Sequence, residues 1–339
     1  MKYGVKQMDD FFYLIDSGTK SNIAMFSDVK KMENGLQTSV PVNIPNPFLR
    51  LLYKLHTSIK INQVIDLPCK GVWDRYSIFT SPKSRTNWVV ITNWSIRRFS
   101  LSCLRGLSEN PQYRLVLIYL DTYSKVPEFY KKYISQISFD LIYTFDNHDA
   151  KEYGWIFTNS LYSKNEVPSN RDVEYDLYFV GEDKGRAEQL VEMYDYLSQN
   201  DLKCCFKIIT TGTNRTSHDG LHFLQKRIEY REILEDISKS RAILEIVQDG
   251  QSGMTMRPYE AMFYDKKLLT NNSVLRSMDF YNEKFMMVFS KMEDSVIKFL
   301  KREEPVEYHY ENAYSPVRWL LRMPDDYQKK VGKTDGQKK

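Results

Sequence analysis

The feature that most constrains this chain is an alternation that occurs twice. Apolar runs of roughly four to eight residues, rich in β-branched and aromatic types, recur with amphipathic stretches of helical length between them. In the first half the apolar runs are NWVVITNW at 87–94, YRLVLIYLD at 113–121 and FDLIYTFD at 139–146. FSLSCLRGLSEN and VPEFYKKYISQI separate them, with a short helix or turn expected at NHDAKEYG. The second half repeats the rhythm: YDLYFVG, LKCCFKIIT, RAILEIV, KKLLTNN and FMMVFS read as strands. AEQLVEMYDYLSQN, REILEDISKS, TMRPYEAMFYD and EDSVIKFLKRE read as helices. Buried strands joined by helices form parallel sheets, because a crossover must return the chain to the same edge.

At 339 residues the chain exceeds what one core usually organises. The polar, Pro-containing stretch 163–172, SKNEVPSNRD, marks a linker between the two halves. The expected organisation is a first domain over 1–165 and a second over 166–312. A helix over 313–328, opened by Ser315 and Pro316, is expected to cross back to the first domain, and 329–339 reads as a disordered basic tail. Within the first 65 residues FFYLID and SNIAMF read as short strands, and NPFLRLLYKLHTSIK reads as an amphipathic helix opened by Asn46 and Pro47.

The net charge of +4 is too mild for a dedicated nucleic-acid binder, which carries a clustered basic face. It leaves room for loose attraction to an anionic membrane surface. Cys69, Cys103, Cys204 and Cys205 have no metal-ligand spacing, and strand alternation sends the adjacent pair to opposite faces, as reduced buried thiols. No apolar run reaches the ~20 residues that span a bilayer. The expected location is cytoplasmic, with peripheral contact at the inner face of the membrane.

Two loops stand where a doubly wound sheet binds ligands, beyond the carboxyl ends of its strands. GEDKGR follows a buried strand and precedes a helix: Gly181 and Gly185 let the backbone approach a ligand, while Lys184 and Arg186 offset diphosphate charge. The competing reading is an ordinary Gly-containing, charged connection. QDGQSGMTMRPYE follows AILEIV; its backbone amides, with Ser252 or Thr255 at the next helix start, suit phosphate oxygens, and Arg257 adds a cation. Glu260 lies three residues beyond Arg257 on the same helix face, and its two acceptor oxygens suit ribose hydroxyls. Against this stands a plain helix-surface ion pair capped by Ser252.

DLYFVGEDKGR and AILEIVQDGQSGMTMRPYEAMFYDKKLLTNN together resemble the donor-binding domain of GT-B glycosyltransferases of bacterial capsule, exopolysaccharide and lipopolysaccharide synthesis, and more distantly the CgeB-like transferases. The resemblance covers roughly 175–289, with weaker support from FDLIYTFDNHDAKEYG. It implies an α/β GT-B fold of two Rossmann-like doubly wound domains facing each other across a cleft. It also implies a metal-independent transferase moving a sugar from a nucleotide-sugar donor to a saccharide or polyprenyl-linked acceptor, with the sugar nucleotide as co-substrate and no other cofactor. On this sequence Lys184 and Arg186 take the diphosphate position. Gly250, Gln251, Ser252, Gly253, Met254 and Thr255 match the loop that meets phosphates and sugar, and Glu260 matches the ribose-binding carboxylate. Ser252 stands where many retaining members carry Glu, so the resemblance does not decide between retention and inversion.

An inverting enzyme needs a base for the acceptor hydroxyl. Asp121, Asp146 and His148, after strands of the first half, are the candidates; each has a plain alternative as a cap, turn or solvated loop residue. The aromatics Trp88, Trp94, Tyr119, Tyr123, Tyr143 and Trp155 could stack a sugar acceptor, or fill the core. His218 and His222 lack completing ligands, and neither a Walker loop nor a nucleophile elbow is present. Two alternatives stay open: an inactive GT-B-shaped partner subunit, or another sugar-nucleotide enzyme such as an epimerase or a pyruvyl transferase.

Overall fold

The computed structural model describes residues 9–62, 64–65, 67–167, 172–210, 217–248 and 254–336. It divides into two compact units: the chain up to Ser163 together with Tyr314 onward, and Lys164–Ala313.

In the first unit the elements run β1 (Asp10–Ile15), α1 (Lys20–Met25), β2 (Gly35–Thr38), α2 (Pro47–His56), α3 (Ile59–Asn62), β3 (Thr86–Thr92), α4 (Leu101–Glu109), β4 (Tyr113–Tyr119), α5 (Glu128–Ile134), β5 (Leu141–Thr144), α6 (Asn147–Tyr153) and β6 (Ile156–Phe157). All six strands are parallel, in the order β2-β1-β3-β4-β5-β6. Alternation sends Val89, Ile91, Leu115 and Leu117 to one face, with Leu104 of α4 and Tyr130 of α5. Trp88, Val90, Val116 and Ile118 go to the other. Fully burying such a side chain contributes roughly 1.5–3 kcal/mol, so two filled faces fix the register.

The second face is covered by the C-terminal helix. After β7 (Tyr175–Glu182), α7 (Ala187–Gln199), β8 (Cys204–Ile209), β9 (Leu221–Leu224), α8 (Tyr230–Ser238), β10 (Ser240–Glu245), α9 (Met256–Phe263), β11 (Lys267–Thr270), β12 (Met286–Val288) and α10 (Asp294–Lys301), the chain forms α11 (Pro316–Gly336). Trp319, Leu320 and Met323 of α11 pack with Phe12, Leu14, Trp88 and Tyr143, and the Tyr143 hydroxyl donates to Asp326 Oδ2 at 2.8 Å.

Two sequence expectations change here. Helix α11 continues to Gly336, where composition suggests a disordered tail from 329; Lys330 Nζ donates to the Asp140 carbonyl at 2.6 Å and anchors the extension. SNIAMF is helix α1 rather than a strand, because the Thr19 hydroxyl accepts from Asn22 N and caps it.

The second unit is also a six-stranded parallel sheet, ordered β12-β11-β10-β7-β8-β9. Cys204 and Cys205 point to opposite faces of β8, the first beside Leu177 and Phe179, the second beside Tyr178 and Val180. Burial pushes their thiols up to about 12 and about 11.

Candidate functional site

Strand order reverses between β7 and β10 in the second unit: β8 and β9 lie on one side, β11 and β12 on the other. Helical crossovers therefore leave in opposite directions from adjacent strands, which opens a crevice at their carboxyl ends. The connections after β7 and β10 both leave that edge, and one side chain joins them. The guanidinium of Arg186 donates from Nη1 to the Ile246 carbonyl at 2.5 Å, from Nη2 to Glu182 O at 3.0 Å and from Nε to Asp183 O at 3.2 Å.

Arg186 is thus a clamp between the loops, and its donors go mainly to carbonyls rather than toward solvent. Burial lowers its pKa, and Asp183 partly opposes that. Gly181 lies inside β7, one residue before its end, rather than in the loop. Lys184 and Gly185 make the turn itself, both left-handed at φ 48° and 80°. A Cβ on Gly185 would meet open space, so glycine serves the backbone conformation there. Lys184 is exposed, with Nζ 3.9 Å from Glu182 Oε2. Helix α7 starts beyond Arg186 with no side-chain cap.

Gly250, Gln251, Ser252 and Gly253 lie outside the described residues. Met254 is half-buried, with its sulfur accepting from Asn272 Nδ2 at 3.8 Å. Thr255 caps α9 by accepting from Arg257 N and donates to Glu245 Oε1 at 2.5 Å; Thr270 donates to the other Glu245 oxygen at 2.5 Å. Glu245 is buried, and burial raises its pKa against the pull of those two hydroxyls.

Arg257 and Glu260 form an ion pair through Arg257 Nη1 and Glu260 Oε2, as their spacing of three allows. It is no surface pair, because Glu260 is 1% exposed. Burial pulls the Arg257 pKa down, but Glu260 with the Tyr178 and Tyr230 phenols outweighs it and leaves it raised. Among the described residues the second Glu260 oxygen, Oε1, is buried without a hydrogen-bond partner, although the Tyr230 hydroxyl lies beside the same carboxylate, and Asp183 Oδ1 in the β7 loop is likewise without one. Each is an acceptor in need of a donor.

In the first unit Asp121 follows β4 and accepts from Trp94 Nε1 at 2.5 Å. Asp146 caps α6, accepting from His148 N and Asp149 N, and also takes the Thr122 hydroxyl at 3.2 Å. His148 is exposed, with Nδ1 3.3 Å from Glu152. The ligand atoms of Asp146, His148 and Asp149 fall within 4.8 Å of one another, and Asp149 accepts from Tyr123 N at 2.7 Å. Trp88, Tyr119 and Tyr143 are core residues; Tyr119 stacks on Trp155 at 4.7 Å.

The first unit has its own order reversal, between β1 and β3, and the sequence alone does not single out its residues. Asp16 there accepts from Gly18 N, Ser39 Oγ and Gln37 Nε2 at 2.6–2.9 Å. Arg98 Nη2 donates to Ser17 O at 2.7 Å, and a Cβ on Gly18 would stand 2.5 Å from that nitrogen. A usable signal was the polar group directly after FFYLI, DSGT.

No protein-family model matches the sequence, and no curated protein matches it. Among solved structures the chain is similar to S. aureus TarM, at 13% identity and a TM-score of 0.45, over 71% of this chain and 54% of that one; it spans about half of TarM's length. It is similar to the catalytic domain of starch synthase IV from Arabidopsis thaliana, solved with ADP and acarbose, at 10% identity and 0.45, over 74% of each chain. It is similar to the glycosyltransferase SnogD from Streptomyces nogalater at 10% and 0.40, over 87% of this chain and 91% of that one. The class that the two sheets define is α/β, two Rossmann-like doubly wound units. Among the described residues no helix is long and apolar enough to cross a membrane.

Proposed function

We propose that this chain is a glycosyltransferase whose second unit holds a nucleoside diphosphate sugar at the β7–β10 reversal and whose product is a surface saccharide built on a lipid-linked acceptor. The observation that carries the reading is the pair of buried carboxylate oxygens, Asp183 Oδ1 and Glu260 Oε1, that have no donor among the described residues, on the two connections that leave the reversal. A ribose offers two hydroxyl donors, and a carboxylate is an acceptor-only partner for them. The uncapped start of α7 and the exposed Lys184 supply positive potential for the diphosphate, which gains charge as the sugar departs. In this reading Arg257 holds Glu260 in place, Arg186 fixes the distance between the loops, and charge on the leaving group is met without a metal ion. Asp121, Asp146 and His148 remain the candidate bases; Asp146 is the most heavily engaged of the three as an acceptor.

The test is a thermal-shift screen of nucleoside diphosphates and their sugars against the wild type, Lys184→Ala and Glu260→Gln. A true ligand at 100 times its dissociation constant stabilises by roughly 2.7 kcal/mol. Glu260→Gln keeps the shape while removing the acceptor charge, and it should weaken the nucleoside moiety far more than inorganic diphosphate. Equal affinity of both variants and wild type for every nucleotide would sink the proposal.

A further inference from the structure

We infer that α2 is a docking helix that lays Phe48, Leu51 and Leu55 onto an anionic lipid surface. The helix is opened by Asn46, whose side chain accepts from Phe48 N and Leu49 N, with Pro47 at its first position. Its inner face is held: Tyr53 is buried with Ile44 and Trp73, flanked by Leu49 and Leu52, and the Tyr53 hydroxyl donates to Arg98 O at 3.1 Å. Its outer face is apolar too. Phe48, Leu51 and Leu55 are 66%, 55% and 46% exposed, at the spacing of one helical stripe. Among the described residues, six of the twelve exposed large hydrophobic side chains fall between 48 and 72; Val64, Ile65 and Val72 are the others.

Charge chooses the occupant. Positions 46–65 hold Arg50, Lys54 and Lys60 and not one Asp or Glu. All three cations are exposed, and among the described residues none has a carboxylate partner. An apolar stripe flanked by unpaired cations, with acid excluded over twenty positions, fits the boundary of an anionic bilayer, where the stripe enters the acyl region and the cations meet headgroups. A protein partner or a second copy of this chain would bring mixed charge to the rim and gives no reason to exclude acid.

The experiment is flotation of the full chain with vesicles of phosphatidylcholine alone or mixed with phosphatidylglycerol. The wild type should float with the anionic vesicles, stay behind with the neutral ones and be released by salt. Phe48→Ser/Leu51→Ser/Leu55→Ser should abolish flotation, and Arg50→Gln/Lys54→Gln/Lys60→Gln should weaken it roughly a hundredfold. All six side chains are exposed, so thermal melts of both variants should match the wild type; the charge variant stands as the test should the apolar one misfold. The inference is overturned by a wild type that ignores anionic vesicles or binds neutral ones equally, or by a charge variant that floats like wild type. It is also overturned when the apolar variant converts a dimer to a monomer and leaves flotation unchanged. Nucleotide binding by the second unit is not involved, so this inference and the donor-site proposal stand or fall separately.

Discussion

The two order reversals share one geometry and differ in the chemistry they leave open. In the first unit Asp16 is surrounded by donors from Gly18, Ser39 and Gln37, and Arg98 lies against the Gly18 turn. Among the described residues the buried atoms without partners after β3 are donors, Asn93 Nδ2 and Arg97 Nη1, with one acceptor, Gln37 Oε1, on β2. In the second unit the corresponding orphans among the described residues are carboxylate oxygens on Asp183 and Glu260, with the Tyr178 hydroxyl on β7 itself. A crevice short of donors is completed by hydroxyls, and one short of acceptors is completed by an acceptor atom. Fold alone does not distinguish the units; the sign of the unmet hydrogen bonding does.

The largest effect should come from breaking the buried pair in the second unit. Glu260→Ala leaves the Arg257 guanidinium without its counter-charge and should cost about 3–5 kcal/mol, read by urea unfolding. Glu260→Leu with Arg257→Met should recover most of that stability and none of the nucleotide binding. A double variant as unstable as Glu260→Ala would mean that the pair supports the fold rather than a site. Next comes Arg186→Ala, which strips donors from the Glu182, Asp183 and Ile246 carbonyls and should cost about 1–3 kcal/mol. Amide exchange should rise in both loops together; a rise confined to the β7 loop would show that the clamp does not couple them.

Much of this was legible in the sequence because buried parallel strands advertise themselves. VVIT, LVLIY, LYFV and AILE are continuous apolar runs, and the helices between them carry clear spacing. The elements that escaped are short or polar: GLQT of β2 and IF of β6 take their strand identity from a neighbour's ladder, not from pattern. For the candidate site, the sequence placed both loops directly after buried strands, where the structure has them, but not the contacts within them. Arg186 looked like a phosphate ligand because spacing reports proximity to a loop and says nothing of the carbonyls that claim its donors. For Glu260 the spacing left a plain surface pair as the alternative to a ribose-binding carboxylate, since three-residue spacing is the same on a buried face as on an exposed one.

A smaller effect belongs to pH and to Glu245. Burial holds its folded pKa above the unfolded value near 4.5, so the folded state binds this proton more tightly. Its contribution is complete below that value and declines as pH rises through the folded pKa, at about 1.4 kcal/mol per unit of displacement. Glu245→Gln should remove this slope, so the stability difference from wild type should shift in the variant's favour between pH 4.5 and neutrality. An unchanged difference across that window would place the proton elsewhere.

The smallest change is expected in the first unit and bears directly on the sign of its orphans. Arg97 is 5% exposed, donates from Nε to Thr57 O at 2.9 Å and, among the described residues, has no partner for Nη1. Burial, then the neighbouring Arg98, lowers its pKa to about 10, with no carboxylate among the groups that offset them. A desolvated cation without a counter-charge costs stability, and an unbranched apolar side chain of similar length relieves that cost while forfeiting one hydrogen bond. Arg97→Met should therefore leave stability unchanged or raise it by up to about 1 kcal/mol, opposite in sign to the second-unit variants. A loss of several kcal/mol on thermal or urea unfolding would mean that Arg97 has its full complement of partners, and the contrast between the two crevices would fail.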